Sequence, residues 1–328
     1  MRAVWIERFA GPEGLLLREG LAPPEPGPEQ ILVRVHASAL NRADLLQTWG
    51  RYPPPEGTPE RIPGLECAGE VVATGPGVRR WRAGDRVMAL LAGGGQAEYA
   101  VAHEALAWPV PEGMSWAEAA AIPEAFITAW DALVRQARLR LGQSVLIHAV
   151  GSGVGLAALQ IARLAGARSV YGTASAPKLE RARSWGLTEG WDYRSVDFVQ
   201  ALREREPEGV SVVLDCIGGP YWMRNLEVLQ PKGHLVLLGT LGGAHLPQEA
   251  TLGPLITKRL RLIGTVLRTR PLWEKIAVAE AFRQELWPLL ADGRLRPTVD
   301  RAFAALEVQA AYRYMAANAN FGKIVLLW

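Results

Sequence analysis

Residues 146–156 combine the residue types that bind a phosphate group with the spacing that such a site needs. An apolar run, Leu146-Ile147-His148, leads into a turn of small residues, and apolar positions at helical spacing begin directly after it. Glycine lets a backbone approach phosphate oxygens closely, and a helix N-terminus offers free N–H groups and a partial positive charge. We therefore expect a dinucleotide pyrophosphate at the turn, which comprises Gly151, Ser152, Gly153, Val154 and Gly155.

Close packing of a strand against a helix is the alternative explanation for these glycines. The G-x-G-x-x-G pattern is incomplete, because Val150 and Ser152 occupy its first two glycine positions. The context favours the nucleotide, since a predicted strand precedes the turn, a predicted helix follows it, and two further strand–helix units come later.

The end of the next predicted strand indicates which dinucleotide binds. NAD enzymes typically place Asp or Glu there, about 20 residues after the turn, against the ribose hydroxyls. Here residues 171–178 contain no acid, and Gly172, Ser175 and Lys178 would offer amides, a hydroxyl and an ammonium to a 2′-phosphate. This stretch predicts NADPH, although Lys178 could equally be a surface lysine at the start of a helix.

Apolar patterning divides the chain into three stretches. Up to about residue 110, short apolar runs between glycine and proline clusters predict a mostly β, barrel-like domain. Between about 125 and 265, predicted strands and helices alternate, which is typical of a parallel sheet, and the predicted strands include Val210–Asp215 and His234–Gly239. The remaining segment is too short to fold alone. We expect an α/β protein in which a doubly wound, Rossmann-type parallel sheet (125–266) interrupts a mostly β catalytic domain (1–124 and 267–328).

Composition limits the compartment and the partners. The 328 residues are 49% hydrophobic and 21% charged with a net charge of +3, and no apolar stretch is long enough to span a membrane. The acid at Glu7 argues against a signal peptide. The two cysteines lie outside any CxxC pattern, so they predict neither a disulfide framework nor a cysteine zinc site. We expect a cytoplasmic protein that binds neither membrane nor nucleic acid.

Several further segments carry a resemblance that covers nearly the whole chain. They are Asn41–Gln47 (NRADLLQ), Gly50–Pro55 (GRYPPP), Gly64–Val71 (GLECAGEV), Gly84–Val87 (GDRV) and Asn318–Val325 (NANFGKIV). With these motifs the chain resembles the zinc-free quinone oxidoreductase, or zeta-crystallin-like, branch of the medium-chain dehydrogenase/reductase superfamily. The resemblance implies a GroES-like catalytic domain and a homodimer paired through the edge strand around Leu260–Gly264.

The resemblance also implies that the catalytic zinc of related enzymes is absent from this protein. Zinc-dependent relatives hold zinc with Cys and His at the positions that match Asn41 and Leu65, and neither residue present is an effective zinc ligand. Without a Lewis acid, the site must stabilise a developing oxyanion with hydrogen bonds, which favours quinones and conjugated enones. We therefore predict no metal.

Family members place the residues matching Asn41, Tyr52 and Thr128 beside the nicotinamide, so we expect these three to be both catalytic and cofactor-binding. Each has a plain alternative: Asn41 could cap a loop, Tyr52 could pack beneath a proline-rich loop, and Thr128 could bond its own helix backbone. The resemblance implies further cofactor contacts at Tyr193, Gly239, Thr240, Leu241, Val266, Leu267 and Asn320.

The predicted function is an NADPH-dependent quinone oxidoreductase. One alternative is an NADPH-dependent ene-reductase acting on enals, enones or acyl thioesters, which would use the same hydrogen-bond donors. A more distant alternative is an NADPH-binding scaffold or a moonlighting RNA-binding protein. RNA binding would call for a basic patch with interleaved aromatics, and only Trp81 of the 12 tryptophans lies within an arginine run.

Overall fold

The computed structural model describes all residues from Met1 to Trp328. It divides into a split unit, formed by Met1–Ile127 and Leu267–Trp328, and a continuous unit, formed by Thr128–Val266. No helix combines the length and the apolar character needed to cross a membrane.

The first part of the split unit is mostly β structure. Strand β3 (Gln30–Ala39) alternates buried and accessible positions and pairs antiparallel with β4 (Glu66–Thr74), so Ile31, Val33 and Val35 enter one apolar core with Val71 and Val87. The strands are β1 (Ala3–Ile6), β2 (Leu15–Arg18), β3 (Gln30–Ala39), β4 (Glu66–Thr74), β5 (Arg86–Leu90), β6 (Tyr99–His103) and β7 (Ala107–Pro109). The helices are α1 (Arg42–Thr48), α2 (Trp116–Ala120) and α3 (Pro123–Trp130).

The continuous unit is a six-stranded parallel sheet in the order β10-β9-β8-β11-β12-β13. Its strands are β8 (Ser144–His148), β9 (Ser169–Ala174), β10 (Glu189–Asp192), β11 (Val210–Asp215), β12 (Leu229–Leu237) and β13 (Arg261–Gly264). Its helices are α4 (Gly153–Leu164), α5 (Ala176–Arg183), α6 (Phe198–Arg205), α7 (Trp222–Val228) and α8 (Gly253–Thr257). The chain winds from β8 to β9 on one side and returns to β11 on the other, so the carboxyl end of β8 is the switch point where such sheets bind ligands.

The last part of the chain completes the split unit. Its elements are α9 (Leu272–Glu285), α10 (Trp287–Ala291), β14 (Val299–Ala304), α11 (Val308–Ala316) and β15 (Lys323–Leu327). Strand β15 pairs antiparallel with β3 and parallel with β14, giving a seven-stranded sheet in the order β14-β15-β3-β4-β5-β7, with β6 also paired to β3. The predicted fold class, a doubly wound parallel sheet with a mostly β GroES-like domain, is confirmed.

Candidate functional site

The turn between β8 and α4 is tight and ends in a capped helix. The backbone of Ala149 has φ of +50°, a left-handed conformation that residues other than glycine rarely adopt. The hydroxyl of Ser152 accepts the N–H of Gly155 at 3.0 Å and caps the helix. A Cβ on Gly155 would lie 2.5 Å from the carbonyl oxygen of Ala149, so only glycine fits there. The N–H groups of Gly153 and Val154 lie in the first turn of α4, where no intrahelical acceptor exists and an anion can bind.

A buried polar chain fixes the strand ends around this turn. The ring nitrogens of His148 lie 2.8 Å from the Thr173 hydroxyl and 2.7 Å from the Asn225 amide oxygen, and that amide donates to Asp215 at 3.0 Å. Asp215 also accepts the N–H of Ile217 at 2.6 Å. These side chains tie the carboxyl ends of β8, β9 and β11 together. The sequence analysis missed this network, although a polar residue at the end of each buried strand was a visible signal.

Burial sets the protonation of the same network. It lowers the pKa of His148 to about 4, so the imidazole is neutral at physiological pH. It raises the pKa of Asp215 to about 6, although the N–H groups of Ile217 and Gly218 oppose that change. At neutral pH the imidazole is therefore neutral and the Asp215 carboxyl is mostly ionised, with its charge stabilised by the N–H groups of Ile217 and Gly218.

The predicted 2′-phosphate residues gather at the end of β9. Ser175 is the N-cap residue of α5, Lys178 lies in the first turn of that helix, and Tyr193 follows β10, the neighbouring strand. The structure adds Asp192, which the sequence analysis missed because β10 brings it beside Ala174 from a distance in the chain. Its carboxylate accepts the N–H groups of Ala176 and Arg194, each at 3.0 Å.

The other predicted cofactor contacts lie in different parts of the two units. In the continuous unit, Gly239, Thr240 and Leu241 follow β12, Val266 follows β13, and the Leu241 N–H donates to the Cys216 carbonyl at 2.9 Å. The hydroxyl oxygen of Thr128 is buried and has no hydrogen-bond partner within the chain, so it does not bond its own helix backbone. In the split unit, Leu267 is buried, and the Asn320 amide donates to the Gly322 carbonyl at 2.6 Å.

Asn41 belongs to a buried ionic cluster in the split unit. Its amide nitrogen donates to Glu66 at 2.9 Å, and its amide oxygen accepts from the Lys323 ammonium at 2.6 Å. Lys323 also contacts Glu66 at 2.6 Å. The Asp44 carboxyl accepts the Asn41 N–H at 2.7 Å and so caps the start of helix α1, while burial raises the pKa of Asp44 to about 6. The Asn41 amide is therefore held rigidly, with one N–H left for another acceptor.

The donors around Asn41 do not fit zinc. The neighbouring Leu65 has no donor atom, and the Asn41 oxygen already accepts from an ammonium. The chain brings together no group of three or more His, Cys, Asp or Glu side chains that could hold a metal ion.

Tyr52 is positioned by Arg268. The guanidinium lies 5.0 Å from the Tyr52 ring centroid and donates to the Tyr52 carbonyl at 3.2 Å, and it is itself fixed by Gln47 at 2.7 Å and by the Ala92 carbonyl at 2.7 Å. Burial raises the pKa of the Tyr52 phenol, so the hydroxyl keeps its proton at neutral pH. The Tyr52 hydroxyl has no partner within the chain, and it can donate a hydrogen bond to a substrate.

The split unit also has a cavity of about 540 Å³ that is partly open to solvent. Its wall includes the apolar side chains of Leu91 and Leu267 together with three ionisable ones, Glu124, Arg268 and Lys275. The sequence analysis did not identify these three residues, since they come from separate parts of the chain. The cavity is large enough for a small organic substrate with one or two polar groups.

Comparison with known proteins places this geometry in a family. Residues 27–112 match the family described as alcohol dehydrogenase GroES-like domain, and residues 153–283 match zinc-binding dehydrogenase. The synaptic vesicle membrane protein VAT-1 homolog of Rattus norvegicus is 34% identical over 343 residues, which cover 100% of this chain and 84% of the relative.

Two crystal structures extend the likeness to three dimensions. The human synaptic vesicle membrane protein VAT-1 homolog-like protein has a TM-score of 0.87 at 32% identity, covering 100% of this chain and 98% of the other. CurK enoyl reductase has a TM-score of 0.87 at 29% identity, covering 99% and 98%. The chain therefore belongs to the medium-chain dehydrogenase/reductase superfamily of nicotinamide-dependent oxidoreductases, in its zeta-crystallin-like quinone oxidoreductase branch.

Proposed function

We propose that the protein is an NADPH-dependent oxidoreductase that reduces a quinone or a similar conjugated carbonyl without a metal. The observation that carries this proposal is the site around Asn41, where an amide, an ammonium and a carboxylate satisfy one another and leave no set of zinc donors. Polarisation of the substrate then depends on hydrogen-bond donors such as the unpartnered Tyr52 hydroxyl.

The residues present fit the cofactor. The first turn of α4 would bind the pyrophosphate, and the orphaned Thr128 hydroxyl supports a contact with the nicotinamide end. Ser175, Lys178 and Tyr193 would surround the 2′-phosphate. Asp192 opposes that assignment by its charge, but two backbone N–H groups already occupy its oxygens, and Lys178 adds a cation to the same helix end.

The proposed reduction depends on hydrogen-bond donors that stabilise the reduced substrate. NADPH, when bound, supplies a hydride. As a quinone or enone accepts it, negative charge builds on the carbonyl oxygen, and a fixed O–H donor stabilises that charge more than the neutral carbonyl. Tyr52 is suited to this role because Arg268 fixes its backbone and ring while its hydroxyl is unused. Unconjugated alcohols, whose oxidation relies on a Lewis acid, should be poor substrates.

The test combines a substrate panel with one conservative variant. Purified, chelator-washed protein should oxidise NADPH with quinones and contain no stoichiometric zinc. Tyr52→Phe keeps the ring beneath Arg268 and should lower kcat about 10²-fold while changing the NADPH Kd far less, because it removes one oxyanion donor. Stoichiometric zinc, or absence of NADPH binding by calorimetry, would overturn the proposal. Binding of NADPH without turnover of any acceptor would indicate a scaffold instead.

Reduction of an enoyl substrate is the second candidate. It is supported by the likeness to CurK enoyl reductase over 99% of this chain. The same oxyanion chemistry applies, since an enoyl thioester also places the new charge on a conjugated carbonyl oxygen. Strong turnover of enones or enoyl thioesters with no quinone activity would put this candidate first.

A further inference from the structure

Glu124 lies on the cavity wall of the split unit without a partner for its carboxyl group. It is in the first turn of α3, where its backbone N–H donates to the Glu66 carboxylate at 2.8 Å. The side chain lines the cavity of about 540 Å³ and makes no hydrogen bond or ion pair within the chain. Glu124 is partly exposed, and an unpaired carboxyl group on a cavity wall is available to hydrogen-bond a ligand.

The charges around Glu124 come from several elements. Burial, followed by the negative charge of Glu66, raises the pKa of the Glu124 carboxyl to about 8, so the group carries a proton at neutral pH. Asp44 acts in the same direction, whereas cations oppose the shift. The ionisable groups that influence Glu124 or are influenced by it are Asp44, Tyr52, Glu66, Arg268, Lys275 and Lys323.

Lys275 of α9 lines the same cavity and is also unpaired. It forms no ion pair within the chain, and burial lowers the pKa of its ammonium, while Glu124 opposes that change. Both groups line one cavity and interact electrostatically, and an ammonium favours the ionised form of a carboxyl, so Lys275 would stabilise the carboxylate that forms when Glu124 loses its proton.

We propose that Glu124 is the proton donor to the reduced substrate and that Lys275 stabilises the carboxylate it leaves. This inference rests on the proposed function. Hydride addition to the β-carbon of a conjugated carbonyl moves the C=C electrons toward oxygen and gives an enolate. The Glu124 O–H bond then breaks, its proton forms the new C–H bond at the α-carbon, and its electron pair stays on the carboxylate. With a quinone, the proton goes to the hydroquinone oxygen. A proton from bulk solvent then restores the Glu124 carboxyl, so each turnover consumes one proton.

Tyr52 is the competing donor, and acidity separates the two. The phenol has a pKa above its ordinary value of 10.0, whereas the pKa of Glu124 is about 8. Each pKa unit is a tenfold difference in acidity, so the carboxyl is the better proton source. Tyr52 then serves as the hydrogen-bond donor and Glu124 as the acid.

The experiment has an infrared arm and a kinetic arm. Wild type should show a protonated-carboxyl band at pH 7 that disappears as the pH is raised past 8, and Glu124→Gln should lack it. Asp44 and Asp215, whose pKa values are about 6, are ionised over that range. With NADPH and the best acceptor, kcat of Glu124→Gln should fall about 10²-fold or more, with Glu124→Asp intermediate. The exposed Glu112→Gln is the matched control.

Lys275→Met tests the proton-donor role of Glu124 even if the Glu124→Gln variant does not fold. Loss of the cation should move both the infrared transition and the alkaline limb of kcat to higher pH, which a purely structural role would not do. If the wild type is active but neither substitution changes the pH profile of kcat or the infrared band, the proton-donor role of Glu124 is overturned and the proposed function is not. A wild type that binds NADPH but reduces no acceptor would instead overturn the proposed function.

Discussion

The ammonium of Lys323 and the carboxylate of Glu66 lie 2.6 Å apart although 257 residues separate them in the chain. Both side chains are buried, and the contact joins β15 to β4. Charges in such a position are stable only as a complete set, because each would lose its hydration without a partner. The same ammonium fixes the Asn41 amide, so the last strand of the chain helps to position a candidate site residue encoded near its beginning.

Replacing Lys323 with Met should destabilise the protein strongly. The substitution leaves the Glu66 carboxylate buried without its counter-ion, which typically costs about 3–5 kcal/mol in the free energy of unfolding. Urea denaturation measures the change. The double variant Lys323→Met/Glu66→Gln should recover part of the loss, and Arg313→Met, which breaks an exposed pair with Glu13, should leave the stability nearly unchanged. Equal effects of the buried and exposed changes would contradict this interpretation.

Gly155→Ala should weaken NADPH binding by distorting the turn. The added Cβ would meet backbone atoms of Ala149 and Val150, none of which is a flexible side-chain end, so the start of α4 must shift. Isothermal titration should show at least a tenfold rise in the NADPH Kd. Gly264→Ala is the control, because no heavy atom lies within 4 Å of its added Cβ. A Kd unaffected by Gly155→Ala would argue that the turn serves packing alone.

Asp192→Asn should favour NADPH over NADH. The amide keeps an acceptor oxygen for one of the two N–H donors, Ala176 or Arg194, but removes a negative charge from the predicted 2′-phosphate position. We expect a lower NADPH Kd and an unchanged NADH Kd, with Lys178→Ala having the opposite effect on NADPH. Parallel changes for both dinucleotides would show that these residues do not face the 2′-phosphate.

His148→Gln should remove a pH dependence of stability. Because the folded-state pKa of His148 is about 4 and its ordinary value is 6.5, the unfolded chain binds the extra proton between these values. Its contribution is therefore full above pH 6.5 and is lost as the pH falls toward 4. The stability difference between wild type and His148→Gln should shrink over that window in urea titrations at pH 7, 5.5 and 4.5. A constant difference would mean that the imidazole does not titrate as described.

Local sequence signals predicted the continuous unit well. Strand β11 has the predicted bounds, Val210–Asp215, because an apolar run ending in an acid is a short-range pattern. The sequence predicts that strand β12 begins at His234, because the proline and glycine at 231 and 233 are typical of a turn. In the structure the strand begins at Leu229 and includes these residues, with a register shift and a positive φ at Lys232. The Glu66–Lys323 ion pair depends on a contact between distant segments. The placement of Glu124 and Lys275 on the wall of one cavity does so as well, and no local sequence pattern encodes either.

Self-association through the β13 edge is the remaining prediction. Strand β13 ends the six-stranded sheet, so one side of its backbone has no partner within the chain, and Leu262 on it is 44% exposed. Ile256 of α8, the helix that precedes β13 in the chain, is 76% exposed, so this part of the chain presents apolar side chains as well as an unpaired edge. Edges of this kind are usually covered, and pairing with a second copy would cover both features. Leu262→Glu should convert a homodimer to a monomer in light scattering at micromolar concentration, whereas the same change at the exposed Leu306 should not. A wild type that is already monomeric would refute the expected dimer.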